Sequence, residues 1–181
     1  MFSDLMFVFK PYPKSSVKFR GLFLFIPKST NMTKTETKVA EISVSYKPSK
    51  AHKPLIKSSD DAYFHLLKFF PADTIALYES FVVGYLNRAN RLIGVYELSR
   101  GGITGTVADP RLVLSVALKT AATAIVLAHN HPSGNLQASK ADEEITNRIK
   151  KAGEYLDIKV LDHLIIVPEG KYLSFTDEGL L

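Results

Sequence analysis

The 181-residue sequence predicts an α/β domain whose mixed β-sheet is flanked by helices. Helical and extended patterns alternate irregularly along the chain, which argues against a doubly wound parallel sheet. Two extended segments, 81–86 and 91–99, are joined by the turn sequence Asn-Arg-Ala-Asn and predict a β-hairpin. A short, wholly apolar run, 124–128, stands between two helical patterns, as expected for a central strand buried on both faces.

The helices follow from apolar residues at helical spacing and from residues that favour helix starts. The first begins at Ser59-Asp60-Asp61 and lasts about three turns. The second has Asp109 as N-cap and Pro110 at its first position, and the third covers 139–155. The predicted inward residues, in chain order, are Ala62, His65, Leu66 and Phe69; Leu112, Val113, Val116 and Ala117; and Ile145, Ile149, Ala152 and Leu156. Strands at 160–167 and 172–175, separated by a Pro-Glu-Gly turn, complete the domain.

Charge divides the chain into two parts. Residues 1–58 hold 11 Lys or Arg against 3 Asp or Glu, a net charge of +8, whereas residues 59–181 hold 12 against 15, a net charge of −3. We therefore predict a basic, mostly irregular extension over 1–57 and a folded domain over 58–181. Because Met32 begins a polar stretch typical of a bacterial amino terminus, residues 1–31 are interpreted as a mis-called start.

The composition limits the cellular setting and the chemistry. The sequence has no cysteine, so disulfides and thiolate metal sites are excluded. No apolar run approaches the length of about 18 residues that a membrane span needs, and no signal peptide is recognisable. These features predict a soluble, cytoplasmic protein without a membrane partner.

Two histidines at the end of the central strand are candidates for a metal site. His129 and His131 are two residues apart, so in an extended chain their side chains leave the same face about 6.6 Å apart. Asp142, in the first turn of the next helix, is the third candidate ligand. Two His and one Asp leave a fourth position for water, the arrangement of a catalytic zinc site with one Zn²⁺ per chain.

Hydrolysis by such a site needs a proton acceptor and a group that stabilises the oxyanion. Glu79, at the entry to the strand 81–86, is the best-placed candidate base, and Ser139 is a candidate donor to the oxyanion. Each residue also has a simpler interpretation. Ser139 and Asp142 have the spacing of a helix-capping pair, and Glu79 taken alone is a solvated charge at a strand end. His163, beside Asp162, is interpreted either as a hydrogen-bonded core pair with that residue or as support for the metal ligands.

The combined pattern resembles a known family. His-x-His, seven residues and then Ser-x-x-Asp, within HNHPSGNLQASKAD at 129–142, is similar to the metal motif of JAMM/MPN-type (JAB) metalloproteases and closely resembles their RadC branch. The segments ESFVVGYLNRANRLIG at 79–94 and VLDHLIIV at 160–167 extend the resemblance, which covers about residues 60–181. It implies a largely antiparallel mixed sheet with cytidine-deaminase-like layering. It also implies a metal held by His129, His131 and Asp142, with Glu79 as the upstream glutamate.

The resemblance implies a metal-dependent hydrolase that acts on peptide or isopeptide bonds of a peptide or protein substrate. Two other functions stay open. The RadC label implies a DNA-associated repair or recombination factor, which would contact DNA through the basic residues 1–58. MPN-like folds also occur as interaction modules without a metal, although the presence of all three ligands argues against that here. The sequence does not indicate an oligomeric state.

Overall fold

The computed structural model describes residues 47–48, 50, 52–101 and 108–181, all within one compact unit, Tyr46–Leu181. Most of the predicted extension lies outside these residues. At its described end, Leu55 forms an isolated antiparallel bridge to Arg91, and the side chain of Ile56 is buried.

A five-stranded mixed sheet forms the centre of the domain, as predicted. The strands are β1 (Ser80–Leu86), β2 (Leu92–Arg100), β3 (Ala124–Asn130), β4 (Lys159–Ile166) and β5 (Tyr172–Ser174). Their order is β2-β1-β3-β4-β5, so β3 is central, and its seven residues are all buried. Only the β3–β4 pair of this sheet is parallel, which confirms a largely antiparallel arrangement.

Helices cover both faces of this sheet. The α-helices are α1 (Ser59–Leu66), α2 (Pro110–Thr120) and α3 (Lys140–Glu154), and a short 3₁₀ turn (Leu67–Phe69) extends α1. Successive residues of a strand point to opposite faces, so β1 contributes Val82 and Leu86 to the core beneath α1 and Val83 and Tyr85 to the core beneath α2 and α3. None of the helices in the described part of the chain is long and apolar enough to cross a membrane.

Three predicted inward positions are wrong. Phe69 is 43% exposed, because the chain tightens into the 3₁₀ turn and buries Phe70 instead. Leu112 is 51% exposed, since α2 is rotated so that Leu114 enters the core in its place. Leu156 is 40% exposed, because α3 ends before it.

Candidate metal centre

The end of β3 brings the two predicted histidines together. His129 is 1% exposed, and its Nε2 lies 2.9 Å from Nε2 of His131. Asn130, between them, points to the other face of the sheet, as the alternation of a strand requires. The two imidazoles therefore face one point at the C-terminal end of the central strand.

The start of α3 supplies the third predicted group. Oδ1 of Asp142 is 3.2 Å from Nε2 of His129, and Oδ2 is 3.7 Å from Nε2 of His131. Ser139 is the N-cap: its Oγ accepts a hydrogen bond from the backbone N–H of Asp142, whose carboxylate accepts one from the backbone N–H of Ser139. The capping interpretation is thus confirmed, and the cap orients the carboxylate toward the histidines.

The charges of this cluster support one another. Burial alone would raise the pKa of Asp142, but the imidazoles of His129 and His131 that face its carboxylate outweigh burial and hold that pKa far below its ordinary value. Asp142 raises the pKa of His131 against the opposing effect of burial, with help from the carbonyl of Asn135 and the charge of Glu79. A permanently ionised carboxylate beside two imidazoles favours a positive charge between them.

The three groups fit a divalent cation. One ligand atom from each of His129, His131 and Asp142 lies within 4.8 Å of the others. Within the described part of the chain, no other group of three or more His, Asp or Glu side chains is arranged so that it could hold a metal ion. Nδ1 of His131 lies 2.7 Å from the carbonyl of Asn135, which only accepts, so this nitrogen carries the proton and Nε2 presents a lone pair to the cluster. Two nitrogens and one carboxylate oxygen suit zinc and several other divalent ions.

A further histidine, His163, contacts His129 on its buried side. His163 is fully buried, and its Nε2 lies 2.8 Å from Nδ1 of His129, away from the cluster. Its Nδ1 lies 2.6 Å from Oγ1 of Thr146, a residue the sequence analysis missed. Burial holds the pKa of His163 well below its ordinary value, and the charge of His129 lowers it further. His163 therefore supports a ligand and is not one itself.

Asp162 does not pair with the His163 ring. Its carboxylate accepts from the backbone N–H groups of His163 and Thr176 and from the hydroxyl of Ser174. The two buried neighbours are thus a hydrogen-bonded core pair, but the bond comes from the backbone N–H of His163 and not from its imidazole, since consecutive strand residues point to opposite faces of the sheet. Asp162 instead fastens β5 and the chain after it to β4.

Asn130 fixes the segment that leads into β1. Its Oδ1 accepts from the backbone N–H of Ser80 at 2.7 Å, and its Nδ2 donates to the carbonyls of Ile75 and Tyr78 at 2.7 and 2.9 Å. The side chain is 1% exposed, so these bonds do not compete with water. The residue between the two histidines thus holds the backbone on both sides of Glu79.

Glu79 and Ser139 line the same groove as His131. This groove, about 390 Å³ in volume, reaches the cluster at His131, and polar and apolar groups share its lining about equally. Its residues are Glu79, His131, Pro132, Ser133, Asn135, Gln137, Ala138 and Ser139. The predicted base and the predicted oxyanion donor therefore line one groove with His131.

Comparison with known proteins identifies the family. The sequence model of the RadC-like JAB domain matches residues 56–180. The chain belongs to this family. The matched residues include the metal cluster, the lining of the groove, and the buried His163 and Thr146.

Bacterial relatives carry the same region. A UPF0758 protein of Flavobacterium johnsoniae is 54% identical over 103 residues, which are 57% of this chain and 44% of that protein. A UPF0758 protein of Porphyromonas gingivalis is 38% identical over 148 residues, 82% of this chain and 65% of that protein. A third, from an Acidovorax strain, is 48% identical over 104 residues, 58% of this chain and 43% of that protein. The matched segments span about half of these relatives, whose names state no activity.

Proposed function

We propose that this RadC-like JAB domain is a zinc-dependent hydrolase of peptide or isopeptide bonds. The observation that carries the proposal is the position of Glu79, which lines the same groove as His131 beside a cluster able to hold a divalent ion. A carboxylate at that place can accept a proton from a water molecule that the ion acidifies. The presence of all three ligand groups favours this function over that of a non-catalytic interaction module.

His129, His131 and Asp142 hold the ion. When bound, it supplies Lewis acidity, which acidifies water and polarises a carbonyl group. Glu79 accepts the proton of the attacking water and passes it to the leaving nitrogen. A C–O bond forms as the C–N bond breaks, and the products are a carboxylic acid and an amine.

Ser139 has a hydroxyl proton available for the oxyanion. Its Oγ accepts from the backbone N–H of Asp142, which leaves the O–H free to donate into the groove that it lines. Polar side chains of Ser133, Asn135 and Gln137 along the groove suit a peptide backbone, which presents both donors and acceptors.

The test combines metal analysis with a peptide-cleavage screen. Protein purified without a metal-affinity column is assayed for bound metal, and linear and lysine-ε-linked peptide libraries are incubated with it in ¹⁸O-labelled water. We expect about one Zn²⁺ per chain, cleavage products with ¹⁸O in the new carboxyl group, loss of cleavage with a chelator, and recovery with Zn²⁺. Cleavage that survives complete removal of the metal would refute the proposal.

A pair of glutamate variants tests the proton acceptor. Glu79→Gln should keep zinc and lower the cleavage rate by about 10²- to 10⁴-fold, the usual contribution of a general base. Glu169→Gln is the matched control. The carboxylate of Glu169 lies beside Gly134, in the loop that follows β3 and lines part of the groove, but Glu169 itself does not line the groove. Glu169→Gln should keep both its zinc and its activity. An equal loss of cleavage rate in the two variants would contradict a specific role for Glu79.

The charge of residues 1–58 supports a second function, association with DNA in the cytoplasm. A net charge of +8 in this segment suits contact with phosphates, whereas residues 59–181 carry a net charge of −3. Binding of a short duplex should weaken steeply with salt and disappear when the Lys and Arg residues within 1–58 are replaced with glutamine, a change that keeps the buried Ile56 in place. Binding that these replacements leave unchanged would exclude this segment as the contact.

A further inference from the structure

We infer that His163 and Thr146 form a relay of positioning residues that fixes which nitrogen of His129 faces the metal centre. The inference rests on the metal site of the proposed function, and neither residue is among the three groups that hold the ion. Both are almost completely shielded from water, with side chains 0% and 1% exposed.

The relay connects two of the metal ligands through the interior. It runs from Nδ1 of His129 to Nε2 of His163 at 2.8 Å and from Nδ1 of His163 to Oγ1 of Thr146 at 2.6 Å. It ends where Oγ1 of Thr146 lies 2.5 Å from the backbone carbonyl of Asp142, whose carboxylate faces the cluster. Residues of β3, β4 and α3 are joined in this way.

The positions of the protons follow from the last of these contacts. A hydroxyl has one proton, and two oxygens 2.5 Å apart need a proton between them, so Thr146 donates to the carbonyl of Asp142. The oxygen of Thr146 then accepts from Nδ1–H of His163. A neutral His163 with its proton on Nδ1 offers a lone pair at Nε2, which accepts from Nδ1–H of His129.

The outcome is a neutral His129 with its lone pair at Nε2, aimed at Nε2 of His131 and the carboxylate of Asp142. The reverse order of protons would make Thr146 the donor to His163 and would place a proton on Nε2 of His129. It would leave the oxygens of Thr146 and Asp142 in contact without a proton. The relay therefore selects the tautomer of His129 that can bind a cation.

Ring packing keeps both imidazoles in the required plane. Phe81 stacks on His129 with an interplanar angle of 7°, and Phe175 lies against His163 with ring centroids 4.8 Å apart. With the rings held in place, the hydroxyl of Thr146 decides between the two arrangements of protons. That hydroxyl is therefore the group to remove in an experiment.

The experiment compares Thr146→Val with Thr146→Ser in the full chain. Valine keeps the shape of threonine but has no hydroxyl, whereas serine keeps the hydroxyl and loses a methyl group. The affinity for Zn²⁺ is measured by competition with a chromophoric chelator. The thermal melting of the metal-free proteins is recorded alongside, and long-range ¹H–¹⁵N correlation spectra of the zinc-loaded parent identify the protonated nitrogen of each ring.

We expect Thr146→Val to bind Zn²⁺ about 10- to 100-fold more weakly, the usual effect of losing a partner of a metal ligand, and Thr146→Ser to stay close to the parent. The spectra should show the proton of His163 on Nδ1. Equal zinc affinity of the valine variant and the parent, or a parent His163 protonated on Nε2 alone, would overturn the relay while leaving the metal site intact. The spectra decide the question even if the valine variant does not fold. A parent that binds no Zn²⁺ would refute the metal site and the relay together.

Discussion

Replacing Asn130 with alanine should destabilise the domain by about 3 kcal/mol, because one buried amide makes three hydrogen bonds at about 1 kcal/mol each. The variant leaves the N–H of Ser80 and the carbonyls of Ile75 and Tyr78 without this partner. Little water reaches these groups, so the loss of stability should be among the larger ones for the replacement of a polar residue.

The assay is urea unfolding of the metal-free protein, which removes the contribution of bound metal to stability. Asn87→Ala is the matched control: the Oδ1 of Asn87 also accepts from two backbone N–H groups, those of Ala89 and Arg91, but in an exposed turn. We expect the control to lose no more than about 1 kcal/mol, since water can replace the missing acceptor.

A second measurement tests whether this amide also affects the proposed hydrolysis in the groove lined by Glu79. Because Asn130 anchors the backbone on both sides of Glu79 and binds none of the three metal-holding groups, its loss should reduce cleavage while zinc affinity changes little. If Asn130→Ala is no less stable than Asn87→Ala, the amide does not hold this segment and the reasoning is wrong.

Three further predictions concern the core. Gly153→Ala should destabilise the domain in thermal melts, because a Cβ there would lie 2.5 Å from the carbonyl oxygen of Ile158; a melting temperature equal to that of the parent would contradict this. Burial, with a smaller contribution from Tyr96, raises the pKa of the Tyr85 hydroxyl well above its ordinary value. The unfolded chain therefore loses this proton first, and stability should fall as the pH rises above about 10, the ordinary pKa of tyrosine. Urea titrations at several pH values should show a smaller fall in Tyr85→Phe, and an equal fall in both proteins would count against the assignment. Asp162→Asn should lower the free energy of unfolding by about 1–3 kcal/mol, because an amide cannot accept all three of the hydrogen bonds made to the carboxylate; unchanged urea unfolding would refute it.

The sequence predicted the sheet well, because its signals are local. The short apolar run at 124–128 was predicted as a buried strand between helices, and it forms the first five residues of β3. The hairpin turn at Asn87 and the caps at Asp109 and Ser139 are short-range patterns with a direct physical cause, and all three are present. The helix faces were less predictable, since Leu112 and Leu114 are equally apolar and only packing decides which one is buried.

The same distinction applies to the site. His129, His131 and Asp142 are close in sequence and were predicted as one cluster, which the structure brings together. Thr146 was missed because a threonine within an amphipathic helix has no distinctive spacing, although its polar character within the buried stripe was a signal. The anchoring role of Asn130 depends on contacts across about 50 residues of sequence, which no local pattern reveals.

The ligands and the relay all lie in one continuous stretch, residues 129–163, whereas Glu79 belongs to the hairpin on the other side of β3. Capture of an ion and chemistry on a substrate are therefore separable properties of this fold. A slip of β1 by a single residue against β3 would turn its side chains to the opposite face of the sheet without touching that stretch. If the proposed function is right, such a molecule would still bind its ion and yet not cleave a peptide, so metal content alone would not measure catalytic activity.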